Sequence, residues 1–109
     1  MQKQYKINAA DIRTLVTGKG LCVVTDLIVV EGHPVGYMVR EEPEDADDSG
    51  WRFFSGAEDD RYLDNPKHFS LLDVNVVANY DQSIIEFLDA PIGASFDKDD
   101  GVFYDVSED

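Results

Sequence analysis

Positive charge is scarce in this chain: 9 lysines and arginines stand against 23 aspartates and glutamates in 109 residues, a formal net charge of −14. A field of that sign repels phosphate, so nucleic acid and anionic membrane are poor partners. A basic protein surface is the favoured one, and its association would be accelerated by about 10 to 10³-fold at low salt. Cysteine is nearly absent. Cys22 stands alone, which excludes an internal disulfide, and it lies in the apolar run Leu21-Cys22-Val23-Val24, where a thiol behaves as a small core residue. Only Lys19 is close enough in sequence to activate it. Histidine is equally thin. Cys22, His33 and His68 share no ligand spacing, which argues against zinc. No apolar run approaches the roughly 18 residues of a membrane span, and Met1 to Lys6 is followed by no hydrophobic stretch of signal-peptide length. The expected location is the cytoplasm.

What is present fits one domain spanning 1–109, with hydrophobic residues at the usual globular level of 43%. The most informative stretch is Gly50-Trp51-Arg52-Phe53-Phe54-Ser55-Gly56, which holds the only tryptophan and is flanked by carboxylates. Aromatics at that density favour a strand. Alternation then puts Trp51 and Phe53 on one face, Arg52 and Phe54 on the other. A helix layer could cover one of these faces, or the aromatics could form an exposed hot spot.

Along the chain, Asn8 and Asp11 predict the start of a helix whose face is Ile12, Leu15 and Val16, ended by Gly18 and Gly20. Leu21 to Val30 is strand-like, with Thr25-Asp26 as its polar break. Val35 to Glu41 alternates and returns as the second arm of a hairpin. Residues 42–50 have almost nothing to bury and form an exposed acidic loop, after which Trp51 to Phe54 pairs antiparallel with the hairpin. Glu58 to Leu63 predicts a turn or two of helix, broken by Asn65-Pro66. Asp73 opens a segment in which residues 74, 77 and 78 share a helical face. Asp81 caps a further helix lined by Ile84, Ile85 and Leu88, ended by Pro91 and Gly93. A closing hairpin spans Ala94 to Val106, with an acidic C-terminal tail at about 105–109. The expected fold is α+β: an antiparallel sheet of about four or five strands with helices packed on one face.

Site chemistry is sparse. Asp97-Lys98-Asp99-Asp100-Gly101 resembles the start of a calcium loop, and Glu108 falls at its twelfth position. The glycine, however, sits at position five, and position six is Val102. A type I′-like turn at Asp100-Gly101 explains the same residues. The acids cluster in polar loops, where they would titrate as surface groups, and Ser55 lacks a nucleophile elbow. No catalytic, metal or cofactor-binding residue is expected, and the chain is expected not to be an enzyme. Recognition remains. The candidate interaction residues are Trp51 and Arg52, as anchors if exposed, with Glu44, Asp45, Asp47, Asp48, Glu58, Asp59 and Asp60 supplying the field.

Several ordered segments carry a resemblance: Val35-Gly36-Tyr37-Met38-Val39-Arg40-Glu41-Glu42-Pro43, Ser49 to Gly56, Tyr62-Leu63-Asp64-Asn65-Pro66, Asn75 to Asp81, and Leu88-Asp89-Ala90-Pro91-Ile92-Gly93. Over roughly residues 20–98 the chain resembles the bacterial domain of unknown function 2185, grouped as immunity protein 33-like. The resemblance implies a small α+β domain and, for some members, immunity in toxin systems; it brings no catalytic residues. Gly50, Trp51, Phe53, Gly56, Asp64, Asn75, Asn79, Tyr80 and Asp81 match its signature, and for Asn79-Tyr80-Asp81 a capping role is the simpler account. The expected function is a non-enzymatic acidic binding domain, an immunity protein that occludes a cognate toxin. The alternative is a small cytoplasmic accessory or ligand-binding domain with the Trp51 strand flooring a pocket.

Overall fold

Six strands form one sheet in the order β4-β1-β3-β2-β5-β6. The structure is a computed structural model and describes residues 3–107. The strands are β1 (Leu21–Thr25), β2 (Tyr37–Arg40), β3 (Asp48–Phe54), β4 (Phe69–Asp73), β5 (Ser95–Asp99) and β6 (Val102–Asp105); the α-helices are α1 (Asp26–Val29), α2 (Asp60–Leu63) and α3 (Val74–Tyr80). Single 3-10 segments occupy Ala9–Asp11, Pro66–His68 and Gln82–Phe87. Every pairing is antiparallel except β1 with β3. The sheet is thus mixed rather than antiparallel throughout, and larger than four or five strands.

The hairpin expected from Leu21 to Glu41 does not form. The strand ends at Thr25, and α1 diverts the chain by burying Ile28 and Val29. β2 then returns one strand-width away, and β3 fills the gap, antiparallel to β2 and parallel to β1. The expected antiparallel pairing of β3 does hold, against β2. The strand β4 has no counterpart in the sequence-based expectation. Its mostly apolar run Phe69–Asp73 is short and lies between a 3-10 turn and a helix cap.

The register of β3 slips against β1, so that Leu21 and Val23 lie opposite Asp48 and Arg52. Four residues of β3 thus span two of β1, and Gly50 supplies the bulge with φ +87°. A Cβ there would lie 2.2 Å from the Glu41 carbonyl oxygen, so no other residue fits.

Inward side chains of the sheet (Cys22, Val24, Met38, Trp51, Phe53, Phe96, Phe103) join Ile28 and Val29 of α1, Val74, Val77 and Ala78 of α3, and Ile84 and Leu88 in one core. The expected face of residues 74, 77 and 78 is the buried face of α3, and Asp73 caps that helix by accepting from Asn75 N–H. Asp81 likewise caps the next segment, which is 3-10 over most of its length. Asp59 caps α2. The closing hairpin turns at Asp100 and Gly101, both left-handed (φ 52° and 79°), as a type I′ turn requires. Glu108, the last position of the calcium-like pattern, and Asp109 of the acidic tail lie outside the described residues.

The expected helix from residue 9 to 17 is one 3-10 turn, Ala9–Asp11, with no side-chain cap from Asn8. Side chains of α3 compete for its backbone. Asn79 Oδ1 accepts from Arg13 N–H at 2.9 Å, and Asn75 Oδ1 accepts from Leu15 N–H at 2.8 Å and Val16 N–H at 3.1 Å. Both amides donate back to the Arg13 carbonyl. β-Branched Ile12, Thr14, Val16 and Thr17 weaken the helical alternative.

Candidate interaction face

Opposite the core, the sheet presents a second row of side chains. Cross-strand neighbours place Leu71, Val23, Arg52 and Val39 in one line, and Phe54, Tyr37, Asp97 and Tyr104 in the next. Leu71 is 64% exposed, Tyr104 55% and Val102 54%. They lie on the two edge strands of that face, Leu71 on β4 and Val102 and Tyr104 on β6.

Arg52 lies at the centre of that face in a closed ionic knot. Its Nη1 and Nη2 donate to the two carboxylate oxygens of Asp48 at 3.0 and 2.8 Å, and Nε donates to Glu41 Oε1 at 3.2 Å. The bulge at Gly50 makes the bidentate pair possible by shortening β3 between the two residues. Asp48 also accepts from the backbone N–H groups of Glu44 and Gly50. The hydrogen bonds from Arg52 hold the Asp48 carboxyl far below the ordinary carboxylate range, despite the opposing effect of burial. Asp48 therefore does not titrate as an ordinary surface group.

The acidic loop divides accordingly. Asp45 accepts from the N–H groups of Asp47 and Asp48 and shapes the loop. Glu41, Glu42, Glu44 and Asp47 are exposed. The second acidic run divides in the same way. Burial would raise the Glu58 carboxyl, but hydrogen bonds from Thr25 Oγ1 and Ser55 N–H outweigh it and hold the group low. Asp59 spends its side chain on Tyr62 N–H, and Asp60 is exposed.

Trp51 is the main correction. It is 1% exposed, and its indole N–H donates to the Leu88 carbonyl at 3.2 Å. Its ring stacks near Phe53 (centroids 6.0 Å apart) and Phe96 (6.5 Å). The condition for an anchor, exposure, is not met. Arg52 is on the open face, but its charge is already paired.

Most of the signature positions have partners within the chain. Gly50 makes the bulge, Phe53 is core, and Gly56 turns with φ +95°. Asp64 is the C-cap of α2 and is exposed. Asn75 and Asn79 bind the Arg13–Val16 backbone, while the Tyr80 hydroxyl accepts from Ile7 N–H and donates to the Val29 carbonyl. Asp81 accepts from Val35 N–H, Ser83 and Lys98 Nζ. Alternation along β3 already sets Phe54 beside Arg52 on this face, whereas nothing in the sequence pattern points to Leu71, Val102 and Tyr37 there. The i, i+4 spacing of Asn75 and Asn79 was the available signal for the N-terminal clasp.

None of the helices among the described residues is long and apolar enough to cross a membrane. Residues 22–107 match the family described as the immunity protein Imm33 domain. That is most of the chain, and the protein belongs to this family. No curated protein and no solved structure matches it.

Proposed function

We propose that this member of the Imm33 family is a non-enzymatic immunity protein that neutralises a basic toxin domain by covering its cationic surface with the open sheet face. One observation carries the proposal: exposed Leu71, Val102 and Tyr104 share a surface with the loop that projects Glu41, Glu42, Glu44 and Asp47. Exposed apolar side chains on both edge strands and carboxylates projecting beside them supply the two ingredients of an interface: apolar contact slows dissociation and charge speeds encounter. The net charge of −14 selects a basic protein over nucleic acid or an anionic membrane. Arg52 acts here as a scaffold for Asp48 and Glu41 rather than as a free cation, and Trp51 supports the face from behind. The encounter would take place in the cytoplasm and needs no cofactor.

The test is capture of a partner from the native host, with washes at low salt and at about 0.5 M, where the Debye length falls well below 10 Å. The captured protein is then expressed alone and together with the chain. Growth arrest by the partner alone, relieved by co-expression, supports neutralisation. A harmless partner, or one lost entirely at high salt, overturns it and favours the accessory role.

A further inference from the structure

Between the two edges of that face, Tyr37 and Phe54 face each other across β2 and β3, with ring centroids 5.8 Å apart and a 40° tilt. Together with Gly56, Glu58 and Leu63 they line an open cleft of about 280 Å³. That is room for one long side chain rather than a drug-sized ligand. Glu58 closes one end. Its Oε2 accepts from Thr25 Oγ1 and from Ser55 N–H at 2.8 Å, whereas Oε1 accepts only from Gly56 N–H at 2.9 Å and keeps a lone pair. Those bonds keep the carboxylate charged at neutral pH. Among the described residues, no ion pair involves Glu58. Asp97, opposite Tyr37, adds an exposed carboxylate alongside.

We propose that this cleft receives an arginine side chain of a basic protein, its guanidinium lying over the Tyr37 and Phe54 rings and donating to Glu58 Oε1. The chemistry selects the occupant. Two aromatic faces attract a cation, a fixed carboxylate orients it, and a planar guanidinium satisfies both demands where an ammonium satisfies mainly the second. Gly56 lets the chain turn beside the cleft without a side chain in it; a Cβ there would have no closer neighbour than Gly36 Cα at 4.0 Å. The identity of the basic protein rests on the immunity proposal. The cleft itself does not.

The experiment therefore uses a defined probe. The capped peptide acetyl-Gly-Arg-Gly-amide is titrated into the full chain, with citrulline, lysine and norleucine versions as controls, and backbone amide shifts are followed by NMR. The expected result is saturable movement of the Ser55, Gly56 and Ala57 amides with arginine, and binding of the neutral citrulline peptide roughly five- to tenfold weaker. Phe54→Leu, which keeps an apolar wall but removes the ring, should weaken arginine about two- to fivefold and leave norleucine unchanged. Equal binding of citrulline, norleucine or lysine overturns the proposal. So do shifts confined to residues 41–47, or no saturable shift at tens of millimolar peptide. Toxin neutralisation that persists while the peptide fails to bind sinks the cleft alone. Peptide binding without any toxin partner sinks the immunity proposal and leaves the cleft standing.

Discussion

The two faces of β3 use the same residue types for opposite ends. Inward, Trp51 and Phe53 are buried with their polar needs met, the indole by the Leu88 carbonyl. Outward, Arg52 is held by Asp48 and Glu41, and Phe54 remains partly accessible beside Tyr37. Aromatic content thus fails to distinguish core from contact surface on this strand. Acidity fails in the same way: Asp48 and Glu58 are tied into the fold, whereas Glu42, Glu44 and Asp47 stand free in solvent. A residue's partners, rather than its type, decide whether it stabilises the fold or meets a partner.

The largest expected effect tests the inward face. Trp51→Ala removes a fully buried indole and should destabilise by about 3–5 kcal/mol, read as a lower urea midpoint. Phe54→Ala on the outward face should cost clearly less and leave the denaturation slope unchanged. Equal losses at the two positions would erase the distinction between the faces.

Much of this was legible from residue pattern. The parity of Trp51 and Phe53 against Arg52 and Phe54, the face of α3, the starts at Asp73 and Asp81, and the Asp100-Gly101 turn all follow from local chemistry that the fold leaves intact. What was not legible depends on distant partners. The parallel neighbour of β3 is chosen by α1, and the N-terminal segment gives up helix because α3 offers amides to its backbone. The open face is not legible locally because Leu71 lies on β4, which residue pattern does not announce, and because Arg52 and Glu58 read as free charges until their partners are known.

The clasp between α3 and the N-terminal segment sets the next effect. Asn75→Ala leaves the N–H groups of Leu15 and Val16 without their acceptor, while the Arg13 carbonyl keeps Asn79, at a cost of about 1–3 kcal/mol where water does not replace it. Hydrogen exchange should quicken at Leu15 and Val16 while the β3 amides stay protected. Uniform quickening across both would mean that the segment is integral to the core rather than clasped onto it.

A smaller effect separates tied from free carboxylates by pH. The Asp48 carboxyl is depressed by its bonds to Arg52, so its contribution is complete above the unfolded-state pKa, about 3.9, and is lost as pH falls from there toward its folded value. Stability measured from about pH 5 downward should therefore fall more steeply in the natural protein than in Asp48→Asn. A slope should persist in the variant, because Glu58 and Asp81 are lowered too. Identical slopes would show that the Arg52 pair is already open in solution.

The smallest change in stability should come from the free carboxylates, and there the outward surface is tested directly. Glu42→Gln, Glu44→Gln and Asp47→Asn together remove three charges without touching the Asp45 and Asp48 side chains that shape the loop. Surface substitutions of this kind usually change stability by no more than about 0.5 kcal/mol each. Association with a basic partner should slow several-fold at low salt, with a shallower salt dependence and little change in dissociation rate, because rim charge acts on encounter. Adding Asp45→Asn and Asp48→Asn would confound this result by loosening the loop and freeing Arg52. If the triple variant binds at the unaltered rate, the loop is only a solvated edge of the sheet, and recognition must come from the apolar row and the Tyr37–Phe54 cleft.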